Sequence, residues 1–259
     1  MIVDLHNHTS LCNHAKGSME DFVQKAIKKN IDIFGFSDHA PMNFDKKYRM
    51  NFEQMKGYEK EALHVKHKYK DEIEVLLGYE VDFLEGYIDK RVLNADVDYL
   101  IGSIHFLDKW GFDNPEFIAQ YQRKDIDKIW EEYFDAVKKM AQSNLFEIVG
   151  HIDLIKVFKY LPKKDIRLIA KEAIKEIKKA AMVVELNSAG YRKPIKEPYP
   201  SSDIMELLVE FDIPITFCSD AHKPEEVGYK IEENIKYAKS YGYNKCAVFR
   251  SKELEMVNF

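Results

Sequence analysis

Seven short apolar runs punctuate this 259-residue chain, and each gives way near its C-terminal end to histidine, carboxylate or asparagine side chains. Residues 2–6 lead into His6 and His8, 31–36 into Ser37-Asp38-His39, 74–82 pass through Glu80, and 99–104 lead into His105. Residues 146–150 lead into His151, 182–186 into Asn187, and 214–217 into Ser219-Asp220-Ala221-His222. Between them lie segments with apolar residues at helical spacing, over about 18–30, 51–70, 116–143, 163–179, 202–210 and 225–241. This alternation predicts one α/β domain over residues 1–259 with a parallel sheet, and no Gly/Ser/Pro-rich linker divides it. A (β/α) barrel is favoured over an open sheet, because a barrel gathers all its strand ends around one opening. An open sheet would spread them along a line at about 4.8 Å per strand, too far for seven strands to share a site.

The opening stretch concentrates the chemistry. Asp4-Leu5-His6-Asn7-His8 is followed by Cys12, His14, Gly17 and Ser18, so three of the nine histidines fall within eighteen residues. In a strand, side chains two apart point the same way, which lets His6 and His8 converge at the strand's end. His64 and His67 differ: they sit among Glu59, Lys60, Lys66 and Lys68 on a helical segment and read as solvated. The aromatic stretch 106–113 reads as a loop, and the last eighteen residues as one short strand around 247–249.

A formal charge of -5 leaves no basic footprint for nucleic acid. No apolar run approaches the eighteen residues of a membrane span, and no leader-like pattern opens the sequence, so a cytoplasmic enzyme with no obligate protein partner is expected. Cys12, Cys218 and Cys246 are an odd number without C-x-x-C spacing, which fits a reducing compartment and argues against a disulfide framework.

The candidate metal ligands are His6, His8, His14, His39, Glu80, His105, His151, Asp220 and His222. Nine donors exceed the needs of one ion, since a catalytic zinc takes about three protein ligands. They suit two or three divalent ions, and such clusters activate water for displacement at phosphorus. Imidazole and carboxylate donors accommodate Zn, Fe or Mn alike. Phosphate-ester hydrolysis is the reaction class these donors point to, on a small-molecule phosphate ester.

Asp4-x-His6-x-His8, Ser37-Asp38-His39, Gly78-Tyr79-Glu80, His105, Gly150-His151 and Asp220-Ala221-His222 together resemble the motifs of the polymerase and histidinol phosphatase (PHP) superfamily. All nine ligand positions match. The resemblance implies a distorted (β/α)7 TIM-like barrel with a trinuclear site. In it, His6, His8, Glu80 and Asp220 hold one ion, Glu80 bridges to a second on His105 and His151, and His14, His39 and His222 hold the third.

The stretches 102–106, 150–156 and above all Glu185-Leu186-Asn187-Ser188-Ala189-Gly190-Tyr191-Arg192-Lys193-Pro194 resemble the histidinol-phosphate phosphatase branch. That resemblance implies hydrolysis of L-histidinol phosphate in histidine biosynthesis by a hydroxide bridging the Glu80-linked ions. The alternative is a PHP phosphoesterase acting on a nucleotide or another small phosphomonoester. Glu80, Asp220 and His105 are the expected catalytic residues. Arg192, Lys156, Ser103 and Tyr191 are the expected substrate contacts, with Arg192 able to clamp phosphate bidentately and Lys156 acting as a point charge. Asp38 is expected to orient a ligating histidine.

Overall fold

The computed structural model describes residues 1–259. Its strands are β1 (Val3–Asp4), β2 (Ile33–His39), β3 (Glu74–Asp82), β4 (Tyr99–Ser103), β5 (Phe106–Leu107), β6 (Trp110–Gly111), β7 (Ile148–Val149), β8 (Val183–Asn187), β9 (Ile215–Cys218), β10 (Lys245–Arg250) and β11 (Glu253–Asn258). The α-helices are α1 (Met19–Lys28), α2 (Met55–Lys68), α3 (Lys90–Leu93), α4 (Ile126–Gln142), α5 (Ile166–Lys179), α6 (Ser202–Glu210) and α7 (Ile231–Ser240).

Seven strands form one parallel sheet in the order β1-β2-β3-β4-β7-β8-β9. The chain closes it back on itself: Leu5 N–H donates to Phe217 O at 3.0 Å and His8 N–H to Ala221 O at 2.9 Å. These bonds turn the sheet into a nearly closed barrel. Because the strands are parallel, the polar residues at their C-terminal ends emerge on one face, with His39 directly opposite Glu80 in the β2–β3 register.

The helices form where the sequence supplies both a cap and an apolar stripe. Ser18 accepts from Asp21 N–H while its own N–H donates to the Asp21 carboxylate at 2.8 Å, a reciprocal cap that starts α1. Met19, Phe22, Val23 and Ala26 of α1 then lie buried against the sheet. Asp125 and Asp165 cap α4 and α5 without the reciprocal bond, each accepting from the N–H two residues on. The long stripe of α4, including Ile129, Trp130, Tyr133, Phe134 and Val137, is core.

Two segments depart from the sequence reading, and a third, read as one or two helices, divides in two. The aromatic stretch 106–113 is a small hairpin, β5 against β6, turning at Asp108 in the left-handed region (φ 56°). The segment 116–143 is a 3-10 stretch over Pro115–Arg123 followed by α4. The C-terminus is a six-pair antiparallel hairpin, β10 with β11, whose two turn residues Ser251 and Lys252 both have positive φ (50° and 68°). That geometry matches strand twist, but neither residue belongs to the Asn-Gly type that announces such a turn in sequence.

The end of the barrel opposite the polar face is plugged by Tyr99, whose buried hydroxyl donates to Leu5 O at 2.6 Å. The ring reaches that carbonyl across two strands only because they carry glycine there. A Cβ on Gly78 would fall 2.5 Å from Tyr99 Cε2, and one on Gly35 would fall 2.0 Å from Tyr99 Oη. Gly35→Ala is therefore expected to lower stability by about 1–3 kcal/mol through overpacking. Adding Tyr99→Phe should cost less in that background than alone, a coupling read by a double-mutant cycle in urea.

Candidate metal centre

The barrel's C-terminal face opens into a cavity of about 570 Å³ whose lining includes His14, His39, Glu80, His105, His151, Asp220 and His222. His6 and His8 lie beneath it, 0% and 1% exposed. The Glu80 carboxylate stands at the centre. One oxygen lies 2.8 Å from His39 Nδ1, 3.5 Å from His6 Nε2 and 3.8 Å from His8 Nε2. The other lies 3.0 Å from His151 Nε2 and 3.6 Å from His105 Nε2. Asp220 approaches His8 Nε2 at 3.1 Å. Its backbone is left-handed (φ 52°), and the turn is held by Arg192 Nη2, which donates to the carbonyls of Ser219 and Asp220 at 2.8 and 2.9 Å.

A second layer fixes which ring nitrogen faces inward. His6 Nδ1 is 2.9 Å from Glu185, His105 Nδ1 is 2.7 Å from Asp82, and His8 Nδ1 is 3.3 Å from Asp38. His14 and His222 turn Nδ1 to the carbonyls of Cys12 and Asp220 at 2.8 and 3.2 Å. With the proton held on Nδ1, each inward Nε2 is a lone pair. Lone pairs of imidazole then face lone pairs of Glu80 and Asp220, an arrangement that is repulsive unless cations lie between them. His6 Nε2, His8 Nε2, His39 Nδ1, Glu80 Oε2 and His151 Nδ1 are all buried without a hydrogen-bond partner. Unpartnered buried nitrogens and a carboxylate oxygen gathered in this way, with five of the seven rings braced from behind, fit divalent metal ions.

Three groups of donor atoms lie within 4.8 Å of one another: His6 with His8 and Glu80, Glu80 with His105 and His151, and His14 with His39 and His222. Glu80 is common to the first two. Cys12 also approaches His8 and His222. Burial pushes its thiol well up, the Asp38 carboxylate adds to that, and its Sγ is engaged with Thr9 O, so it stays protonated and is a poor donor.

Electrostatics distinguish the groups. Burial disfavours charge on every ring, yet the carboxylates prevail at His105 and His8. His105 is pushed up to about 10 by Asp82 and Glu80, and His8 to about 9 by Asp220 and Asp38. His39 falls to about 4, and His14 and His222 are also lowered, first by burial and then by neighbouring imidazoles. The inner groups thus attract positive charge, while the outer trio stays in the neutral form that binds metal.

A family model for the PHP domain matches residues 4–189. The chain belongs to the PHP domain family. A Deinococcus radiodurans protein named probable histidinol-phosphatase is 35% identical over 98% of both chains. The Bacillus subtilis histidinol-phosphatase is 26% identical, covering 88% of this chain and 96% of its own. Among solved structures, the Lactococcus lactis histidinol phosphate phosphatase, complexed with zinc, L-histidinol and phosphate, superposes with a TM-score of 0.82 at 20% identity over 98% of each chain. A Listeria monocytogenes structure named as a putative histidinol phosphatase gives 0.76 at 26% identity, covering 89% of this chain and 99% of that one.

All nine PHP ligand candidates are brought together, whereas the expected substrate contacts separate. Arg192 lines the cavity, and its Nη1 is buried without a partner. Lys156 does not line it. Its ammonium is 1% exposed and taken up by Pro198 O at 2.8 Å, Asp153 at 2.9 Å and Glu197 at 3.0 Å, so its charge is spent on bracing the loop after β8. Ser103 is buried beneath Gly150, outside the cavity lining, because a Cβ at Gly150 would fall 2.2 Å from its Oγ. Tyr191 points elsewhere, with Lys230 Nζ 4.5 Å from its ring centroid. Asp38 does orient a histidine, namely His8, and also accepts from Thr9 Oγ1 and from His39 N–H.

The sequence reading missed Glu185, Asp82, Tyr199, Lys193 and Asp113. Asp82 is two residues beyond Glu80 on β3 and so shares its face, and Glu185 precedes Asn187 by two on β8; that parity was the available signal. Glu185 also accepts from His151 N–H and Asn187 Nδ2, both at 2.7 Å, so it ties three strands to the site.

Glu185→Gln is expected to weaken the tightest metal binding about 10–100-fold, read by metal content after competition with a chelator. Loading metal-free protein at pH 7.5 should release at least two protons per chain, those carried by His8 and His105 at about 9 and 10. Calorimetry in buffers of different ionisation enthalpy counts them, and apparent affinity should rise with pH.

Proposed function

We propose that this PHP protein is a histidinol-phosphatase, hydrolysing L-histidinol phosphate to L-histidinol and phosphate. The observation that carries the reading is agreement between full-length relatives of that name and a cavity in which the donors for a multi-metal site stand beside unpartnered phosphate-binding groups. His6, His8, Glu80 and Asp220, then His105 and His151 with Glu80, then His14, His39 and His222, are the residues that would hold two or three divalent ions. Such ions supply Lewis acidity and an activated water nucleophile.

The chain's own residues do the rest. Glu80, shared between two donor groups, sets their relative position, while Asp220 and His105 bound the cavity where the ester phosphorus would lie. Asp82 and Glu185 keep the protons of His105 and His6 on the outward nitrogens. Arg192 Nη1 and the Tyr199 hydroxyl are buried donors with no partner, and both residues line the cavity. They would bind phosphoryl oxygens, with the Lys193 ammonium nearby as a further positive charge. Arg192 has a second duty through Nη2, since it fixes the turn carrying Asp220.

No helix is long and apolar enough to cross a membrane. With a formal charge of -5, a small phosphate ester is a better fit than a polyanionic nucleic acid.

The kcat/KM for L-histidinol phosphate is expected to exceed that for nucleotide and sugar phosphates at least about a hundredfold. Comparable low rates across that panel on metal-loaded protein would discard the histidinol assignment. Arg192→Ala should lower kcat/KM by about 100-fold and Tyr199→Phe by about tenfold, the latter with metal content unchanged.

A further inference from the structure

Six carboxylates line the cavity: Asp45, Glu80, Asp82, Asp113, Asp220 and Glu226. Five are occupied. Glu80 and Asp220 face the histidines. Asp82 holds Arg49 Nη1 and His105 Nδ1, each at 2.7 Å, and Asp45 lies 3.5 Å from Arg49 Nη2. Glu226 accepts from His222 N–H at 3.1 Å and has Lys223 and Arg192 at 3.6 and 3.7 Å. Asp113 has neither an ion pair nor a hydrogen bond from any other side chain, and it joins none of the donor groups suited to metal.

Its position is fixed from both sides. Asp113 follows the β5–β6 hairpin, directly after Phe112, which is fully buried, and directly before Asn114, whose side chain accepts from Glu116 N–H at 2.9 Å to start the 3-10 stretch. Burial raises its carboxyl, and the charges it feels are those of His105, Lys193 and His151, yet Lys193 makes no ion pair with it. Asp113 keeps partial exposure to the cavity, so a cationic ligand group can reach its carboxylate and bond to it. The unpartnered donors, Arg192 Nη1 and Tyr199 Oη, come instead from the segment after β8. The cavity therefore offers donors from one loop and a bare acceptor from another, suiting a ligand with an anionic end and a cationic one. Phe106 and Phe117 add apolar wall beside the acceptor.

We infer that Asp113 is a specificity-determining residue that receives the substrate's ammonium, selecting phosphomonoesters of amino alcohols over their uncharged counterparts. This deepens the phosphatase reading above and rests on it. L-Histidinol phosphate carries its ammonium on the carbon next to the ester methylene. A charge-assisted hydrogen bond to an otherwise unpaired carboxylate is expected to discriminate by about ten- to a hundredfold.

The test uses two matched pairs of esters on the metal-loaded full chain: L-histidinol phosphate with its desamino analogue, and 2-aminopropyl phosphate with propyl phosphate. The readout is the kcat/KM ratio within each pair. It needs only residual activity and cancels losses of folded or metal-loaded protein. Wild type is expected to favour the ammonium member of both pairs. Asp113→Asn and Asp113→Ser should each shrink the ratio about ten- to a hundredfold, while Asp113→Glu restores much of it. An unchanged ratio in both neutral variants, or no ammonium preference in wild type, overturns the role of Asp113. If the Asp113-dependent preference holds in both pairs but histidinol phosphate is no better than other esters, Asp113 stands and the histidinol assignment falls.

Discussion

The interaction on which the site depends is a repulsion. Five imidazoles crowd the Glu80 carboxylate, and His6, His8 and His105 have their protons drawn to the far nitrogen by Glu185, Asp38 and Asp82. What remains at the centre is a set of inward-facing lone pairs. Protons can relieve this only by charging rings that burial would keep neutral, which is why His105 and His8 stand so far above an ordinary imidazole. Divalent ions relieve it with the rings neutral, at higher charge per site. The buried carboxylates behind the histidines thus make a metal centre the low-energy state of this face.

The barrel makes that density of charge structurally tolerable. All the ligand candidates but His14, which follows the 3-10 turn Ser10–Cys12, come from the end of a strand whose lower part is buried in one continuous core, so strand packing holds the polar atoms together against their own repulsion. Closure of the sheet through Leu5 and His8 onto the segment after β9 places the first histidines beside Asp220. At the other end, Tyr99 can cross to Leu5 only because Gly35 and Gly78 leave it room. The barrel is therefore packed at one end and electrostatically loaded at the other.

Much of this was legible in the chain. A histidine, carboxylate or asparagine at the end of each apolar run is a one-dimensional pattern, and the closed parallel sheet converts it into proximity. The nine ligand candidates follow from that rule and from the motifs that resemble the PHP family. Lys156 stands outside the cavity lining for a physical reason: a positive charge near His151 in sequence looks available to phosphate, and nothing in the local string shows that Asp153, Glu197 and Pro198 O enclose it. Ser103 and Tyr191 also stand outside the cavity lining, since adjacency to a ligand or to Arg192 does not say which way a side chain turns. The C-terminal hairpin escaped notice because Ser251 and Lys252 turn it without glycine or asparagine.

The sequence alone determined the alternation of strand and helix, the single domain, the donor set and the family, because each is written in local periodicity or in residue identity at strand ends. Tertiary structure decided which groups are left without partners. Asp113 is one acid among many in the string, and Arg192 one cation among many. Only the folded chain pairs off Asp45, Asp82, Glu226 and Lys156, leaves Asp113 in the cavity wall without a side-chain partner, and buries Arg192 Nη1 and the Tyr199 hydroxyl without one. Hydrogen bonding is satisfied in three dimensions between residues far apart in the chain, so the unsatisfied remainder cannot be read from sequence.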